Sequence, residues 1–220
     1  MKLLSLYAGL PKPKEWQGRE ITTALVKEQL SGPAFLGRTN LEGDGQADLV
    51  HHGGEDKAVC VYPQEHYSYW EKEIGCRLPE AAFGENFSVS GMKESAVHIG
   101  DVFEVGEAVV QISQPREPCY KPAARLGIKE LPQLIRETGY SGYYIRVLQE
   151  GIVKPGDFLK RIKTGEKKIT IAEANRIKYH DTKNAEKTAE LLQEEALADA
   201  WRIPLEKRTA ILKEEKGFKE

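Results

Sequence analysis

Gly100-Asp101-Val102-Phe103 and Gly156-Asp157-Phe158-Leu159 are two copies of one pattern, a tight Gly-Asp turn that launches an apolar strand. Around them, residues 1–165 alternate short apolar stretches with turns. Lys2–Tyr7, Ile21–Val26, Asp48–Val50, Ala58–Tyr62, Phe87–Val89, Asp101–Val105, Ala108–Ser113, Tyr143–Leu148 and Phe158–Ile162 read as strands, many of them β-branched or aromatic. So many short strands with frequent turns favour a barrel over a doubly wound sheet. Two helical stretches interrupt them, about Gln64–Ile74 and Pro122–Thr138, the second broken at Gly127. The sequence therefore predicts a mainly β fold with some α.

The composition changes near Gly165. Residues 1–165 hold 19 of the 20 glycines and 10 of the 11 prolines, whereas 24 of the 55 residues in 166–220 are charged. Turn formers crowd the first part and helix formers the second, which predicts a β-barrel domain over 1–165 and a small three-helix domain over 166–220. In the second, Thr170 and Glu173 have the spacing of a capping box, followed by Ile171, Ala174 and Ile177 on one face. A second helix is expected from about Ala185 to Ala196, and a third from Pro204 to just before Gly217. Trp201, between these two, reads as a core anchor. So small a bundle is marginal alone, so it is expected to dock on the barrel or on a partner.

Forty per cent hydrophobic residues, 30% charged residues and a net charge of −2 describe an ordinary globular chain and exclude wholesale disorder. Without a basic excess, neither nucleic acid nor an anionic membrane surface is an expected partner. No apolar run approaches the roughly 20 residues that span a bilayer, and the N-terminus lacks the pattern of a signal peptide. Cys60, Cys76 and Cys119 are odd in number and widely spaced, which argues against a disulfide framework or a zinc knuckle. A cytoplasmic protein with reduced thiols is expected.

Three segments carry candidate chemistry. Cys119 lies in Gln114-Pro115-Arg116-Glu117-Pro118-Cys119-Tyr120-Lys121-Pro122, where three prolines rule out a ladder strand or a helix interior. The segment is a rigid loop after a strand, and Arg116 and Lys121 flank the thiol. Nearby cations favour thiolate, which suits a nucleophile or a soft-metal ligand. An inert half-buried cysteine beside two surface cations has the same sequence. Cys60, inside Ala58–Tyr62, reads as core, and Cys76 offers no partner.

In Gly43–Lys57, the successive side chains of His51 and His52 point to opposite faces of a strand, so a two-histidine metal site is a poor reading. Gly53 and Gly54 free the backbone to cradle an anion, with Lys57 adding charge; a decorated hairpin turn fits as well. Asn86, in Phe83-Gly84-Glu85-Asn86-Phe87, could bind a heterocycle or satisfy a buried turn. His66, His98 and His180 have no acidic or cysteine companion in motif spacing, and no chemistry is assigned to them.

Taken in order, His52-Gly53-Gly54 with Lys57, Gly84-Glu85-Asn86-Phe87, Gly100-Asp101 through Pro118-Cys119, and Tyr143–Asp157 resemble the MOSC domain, the C-terminal domain of molybdenum cofactor sulfurases. The tail, with Ala200-Trp201-Arg202-Ile203-Pro204-Leu205, is similar to the three-helix extension of one bacterial branch. That branch comprises stand-alone MOSC proteins associated with resistance to N-hydroxylated base analogues. The resemblance implies a MOSC-type β-barrel with peripheral helices and a pocket for a molybdopterin-type molybdenum cofactor. It carries the family's cysteine over to Cys119, as catalytic residue and direct molybdenum ligand. Arg116, Lys57, His52, Gly53 and Gly54 become candidates for the cofactor's phosphate end, and Asn86 for the pterin.

The implied activity is reduction of N-hydroxylated small molecules, bases or amidoximes, to amines. No iron–sulfur, flavin or nicotinamide fingerprint is visible, so a separate flavoprotein reductase is the expected electron donor. A carrier of the cofactor, or of sulfur on Cys119, is the alternative that rests on the same thiol.

Overall fold

The two Gly-Asp turns share one construction. His98 N donates to Asp101 Oδ2 at 2.9 Å and Lys154 N to Asp157 Oδ2 at 2.9 Å. Each aspartate's own N–H returns to the carbonyl of the same partner, at 3.1 and 3.2 Å. The intervening Gly100 and Gly156 sit at φ 85° and 97°, a region a side chain disfavours. The repeat is therefore one turn made twice, each closed by an aspartate carboxylate that accepts from the N–H three residues before it. Asp101 is fully buried and does more than its twin: it also accepts from Gly165 N at 3.0 Å and pairs with Arg161 at 3.1 Å. His98 Nδ1 lies 3.2 Å from the same carboxylate, so His98 does have an acidic companion, three residues on, contrary to the sequence expectation.

The computed structural model describes residues 1–16, 18–48 and 53–217. In chain order the strands are β1 (Lys2–Ala8), β2 (Lys12–Trp16), β3 (Arg19–Thr23), β4 (Glu28–Leu30), β5 (Ala34–Leu36), β6 (Val59–Pro63), β7 (Phe87–Ser90), β8 (Val102–Val105), β9 (Ala108–Pro115), β10 (Tyr143–Gln149), β11 (Gly151–Val153) and β12 (Lys160–Lys163). The helices are α1 (Tyr67–Ile74), α2 (Tyr120–Leu126), α3 (Leu131–Thr138), α4 (Ile171–Tyr179), α5 (Ala185–Leu192) and α6 (Asp199–Gly217). Eight strands form one curled sheet in the order β12-β8-β9-β10-β6-β7-β1-β4, antiparallel except for β6 beside β7. The curl brings the sheet back on itself. Leu3 N donates to Asp157 O at 2.9 Å, Gly156 N to Leu3 O at 2.8 Å, and Leu159 N to Met1 O at 3.2 Å. Lys2 and Phe158 form a bridge at this seam. The fold is thus a barrel-like sheet with peripheral helices, as expected.

Several boundaries differ from the sequence expectation. β2, β4, β5 and β11 are additional strands; they are short, polar or both, so neither length nor apolar alternation marks them. β3 ends at Thr23, whose hydroxyl accepts from Leu25 N at 3.1 Å and turns the chain. Phe158 is spent on the seam, so the last strand starts at Lys160. Of the expected strand Asp48–Val50, Asp48 is in no strand and residues 49–50 lie outside the described residues, as do His51 and His52.

In the tail, Thr170 Oγ1 accepts from Glu173 N at 3.0 Å, while Glu173 Oε1 meets Lys187 Nζ at 2.9 Å and ties α4 to α5. The second helix stops at Leu192, because the buried Glu194 carboxylate organises a turn, accepting from Lys167 N at 2.9 Å. The third begins at Asp199 and not at Pro204. Pro204 is tolerated inside it because both Pro204 and Ala200, whose carbonyl loses its helical donor, are exposed to water. Trp201 is accordingly inside α6, not between helices.

Tail and sheet share one core. Ile171, Ile177, Leu191, Trp201 and Leu205 belong to the same buried cluster as Val110, Ile112, Tyr143 and Ile145. A second cluster joins Tyr62, Trp70 and Phe83 to α2 and α3 through Ala123, Leu131 and Ile135. Trp201 is fully buried and Ile203 is 47% exposed. Trp201→Ala is expected to lower the stability of the whole chain by about 3–5 kcal/mol, against a change within about 0.5 kcal/mol for Ile203→Ala. Urea titration followed at the barrel tyrosines checks this: an unchanged barrel transition in Trp201→Ala would show that the tail melts separately.

Candidate functional site

β9 runs buried to its end, through Ser113 and Gln114, and then delivers the proline-framed loop to the surface. Cys119 at the end of that loop is half-buried and is the N-terminal capping residue of α2. Lys121 N points at its Sγ from 3.5 Å. The loop is shorter than the sequence predicts: Pro115 closes β9 opposite Tyr143 and Pro122 sits in the first turn of α2, where its missing donor is tolerated, so only residues 116–119 lie between the two elements, with Pro118 fixing φ there.

The thiol faces a cavity of about 90 Å³, walled by Lys27, Cys60, Phe83, Arg116, Lys121 and Tyr144, with Lys57 and Asn86 also on its lining. A second, wider space of about 660 Å³ opens outward, adding Gln114, Glu117, Pro118, Tyr120 and Ala200. Asp48, Lys57, Cys119, Lys121 and Tyr144 border both spaces. Cys119 therefore stands at the junction of an inner chamber and an outer one.

The walls are rich in positive charge. Arg116 is only 6% exposed; its Nη2 donates to Phe83 O at 2.8 Å, and Tyr144 shares the chamber wall with it. Burial opposes its charge, but the pull of Cys60, Tyr144, Cys119 and Glu85 prevails and raises its pKa. Lys57 is pushed the other way, chiefly by burial, with Glu117 and Asp56 opposing. Lys27 is neutralised by a buried contact with Asp44, whose carboxylate also accepts from Gly9 N at 2.9 Å. Glu85, beneath the inner chamber, is fully buried; burial raises its pKa, although Tyr67 Oη and Phe83 N donate to it.

Of the residues singled out from the sequence, the structure brings together Cys119, Arg116, Lys57 and Asn86. Asn86 has both ends of its amide in use: Oδ1 accepts from Cys60 N at 3.1 Å and Nδ2 donates to Tyr7 O at 3.2 Å. It joins β6, β7 and β1 at the chamber wall, the buried-turn role. Gly54, at φ 95°, accepts from Lys57 N at 3.0 Å, and neither Gly53 nor Gly54 is on the lining of either space. His52 lies outside the described residues. Cys60 is buried as expected, and it also forms chamber wall.

Lys27, Tyr144 and Ala200 are site residues without a local signal, because each arrives from a different part of the fold; Asp44 and Gln114 lie inside the segments singled out from the sequence but were given no role there. Gln114 has one notable atom. Its Nε2 donates to Pro115 O at 3.2 Å, and its buried Oε1 has no partner among the described residues. His66 gains a partner that no local spacing shows, Glu94 Oε2 at 2.6 Å, in a buried pair away from both spaces. Among the described residues no group of three or more His, Cys, Asp or Glu side chains could hold a metal ion. No helix among them is long and apolar enough to cross a membrane.

The three thiols should separate by environment. Burial pushes Cys60 up to about 11. Its neutral form therefore favours the fold below about pH 9, and that contribution is lost as pH rises through about 11. With iodoacetamide near pH 8, half-buried Cys119 and exposed Cys76 should be alkylated in the folded protein while Cys60 stays free. Peptide mass spectrometry reads this; Cys60 reacting as fast as Cys119 would show that the inner chamber is open to solvent.

The MOSC domain matches residues 48–160, and the YiiM-like three-alpha-helix domain matches residues 169–210. An uncharacterized Bacillus subtilis (strain 168) protein, YflK, is 50% identical over 206 residues, 94% of this chain and 93% of its own. Escherichia coli (strain K12) YiiM is 38% identical over 196 residues, 84% of each chain. A Gibberella moniliformis protein named a reductase is 34% identical over 182 residues, which make up 80% of this chain but 32% of that one. The crystal structure of YiiM from Geobacillus stearothermophilus superposes with a TM-score of 0.81 at 38% identity, covering 94% of this chain and 98% of that one. That of Escherichia coli YiiM gives 0.77 at 31% identity, covering 96% and 93%.

Proposed function

The chain belongs to the MOSC-domain family, in its form with a C-terminal three-helix domain, and from that membership and the site we propose a molybdenum-cofactor-dependent reductase. Its substrates are N-hydroxylated small molecules, bases or amidoximes, which it converts to amines with electrons from a separate flavoprotein. The observation that carries this reading is Cys119: a rigidly held, half-buried thiol at the junction of two spaces, among Arg116, Lys57 and Lys121.

The residues fit the cofactor. A thiolate is a soft ligand for molybdenum, and the buried cations suit an anionic phosphate. The buried, unpaired Gln114 Oε1 on the outer lining is an acceptor that a bound donor can satisfy. When bound, the molybdenum centre supplies the two-electron removal of oxygen from the N–OH group. The chain's own part is placement. Cys119 holds the metal, Arg116 and Lys57 hold the phosphate end, and Asn86 keeps the chamber wall in register. Gln114, Tyr120 and Tyr144 line the space left for the substrate. The fungal relative named a reductase supports the redox reading; its matched segment sits within a longer chain.

Cys119→Ser replaces a soft ligand with a hard, protonated hydroxyl. Bound molybdenum and reductase-coupled activity should both be lost while circular dichroism and melting stay as in the wild type. Full activity in this variant would sink the proposal. Molybdenum content in the wild type without N-hydroxy reduction, given a competent reductase, would instead point to a carrier. Because an arginine–phosphate pair is bidentate, Arg116→Lys should also lower cofactor retention, and unchanged molybdenum content would assign the phosphate to other residues.

A further inference from the structure

The helical tail reaches the candidate site at two separate walls. At the first, Lys178 in the last turn of α4 forms an ion pair with Glu117, two residues before Cys119. Lys178 is itself held by the tail: its Nζ lies 4.2 Å from the centre of the Trp201 ring and 5.9 Å from that of Tyr179. The cation is thus seated on the core indole of α6 and points out of the tail at the proline-framed loop. At the second wall, Arg146 of β10 spans from Asp56 Oδ1 at 2.7 Å to Ala196 O at 2.9 Å. Ala198 N donates to Ser113 O at 3.1 Å, and Ser113 Oγ donates to Asp56 O at 2.6 Å. Asp56 adjoins Lys57. Ala200, one turn further, forms part of the outer chamber.

From these contacts we infer that the three-helix tail is a positioning device for the site, with Lys178 as the positioning residue that clasps the Cys119 loop through Glu117. The tail fixes the loop that carries the thiol and the turn that carries Lys57 against one common frame. Glu117 and Lys57, one on each wall, already attract each other, and the tail sets the geometry in which they do so. Glu117 is half exposed, so the ion pair adds little to stability. Its effect lies in placement, where a displacement of about 1 Å can cost on the order of 10²-fold in rate. The kinetic part of this inference rests on the reductase reading; the mechanical part does not.

The test uses the full-length protein with Lys178→Met, Lys178→Arg, Glu117→Gln and the double variant Glu117→Gln/Lys178→Met. Methionine keeps the packing on Trp201 and removes the charge; arginine keeps charge, reach and ring contact. Hydrogen–deuterium exchange on cofactor-free protein reads the loop directly. Exchange of the amides in 116–121 should rise about tenfold or more in Lys178→Met and in Glu117→Gln, return to wild-type in Lys178→Arg, and rise no further in the double variant. With an artificial small reductant, kcat should fall about tenfold in Lys178→Met with KM within about threefold, and recover in Lys178→Arg. Unchanged exchange in the loop, no rescue by arginine, or additive effects in the double variant would each overturn the clasp. A wild-type protein that binds no molybdenum would sink the reductase reading, and the exchange measurement would still decide the clasp.

Discussion

A guanidinium buried beneath the thiol loop sets the terms for the site. Taking such a charge out of water costs several kcal/mol unless the surroundings answer it. Phe83 O and the charges of Glu85 and of the surrounding groups do so for Arg116. Phe83 and Glu85 stand in the segment before β7 and Tyr144 in β10, so the requirement draws that segment and β10 to the end of β9. Burial raises the pKa of Glu85, while Tyr67 Oη and Phe83 N donate to its carboxylate and Arg116 opposes the shift. Asn86 closes the same corner by giving both ends of its amide to backbone.

The sequence shows most clearly those features whose cause is local. The twin Gly-Asp turns need one glycine and one carboxylate three residues after its backbone partner, all within four positions. Cys119 is visible because prolines and cations lie beside it in the chain. Long apolar strands such as β6, β9 and β10 are visible because both faces or one face must be buried. β2 is not, because Lys12, Lys14 and Glu15 carry no apolar alternation, and of β3 only the part from Ile21 on falls within the expected strand. Nor was the start of α6: Pro204 has the look of a first-turn residue, and only the exposure of Ala200 explains how the helix runs through it.

Half the site was illegible for a related reason. Lys27 and Tyr144 meet Cys119 only after the sheet has curled, and nothing in their neighbours hints at a cavity. Composition divides the chain near Gly165, whereas packing runs straight across: Trp201 and Leu205 share a core with β9 and β10. A change in helix and turn formers reports where local preferences change. It carries no information on which surfaces later meet, and the tail meets the walls of the site itself.

The seam where the sheet returns on itself has a consequence for how the molecule behaves in company. It is closed by the backbone bonds of Met1 and Leu3 with Gly156, Asp157 and Leu159, not by a full ladder. β12 stands at the end of the sheet order, and an edge strand invites another chain to add to it. It reads Lys160-Arg161-Ile162-Lys163, with Arg161 paired to the buried Asp101 and Lys160 3.4 Å from Glu104, so charged groups line this edge. Charged side chains on an edge strand disfavour such additions, and the joint of the barrel is thereby guarded against edge-to-edge aggregation.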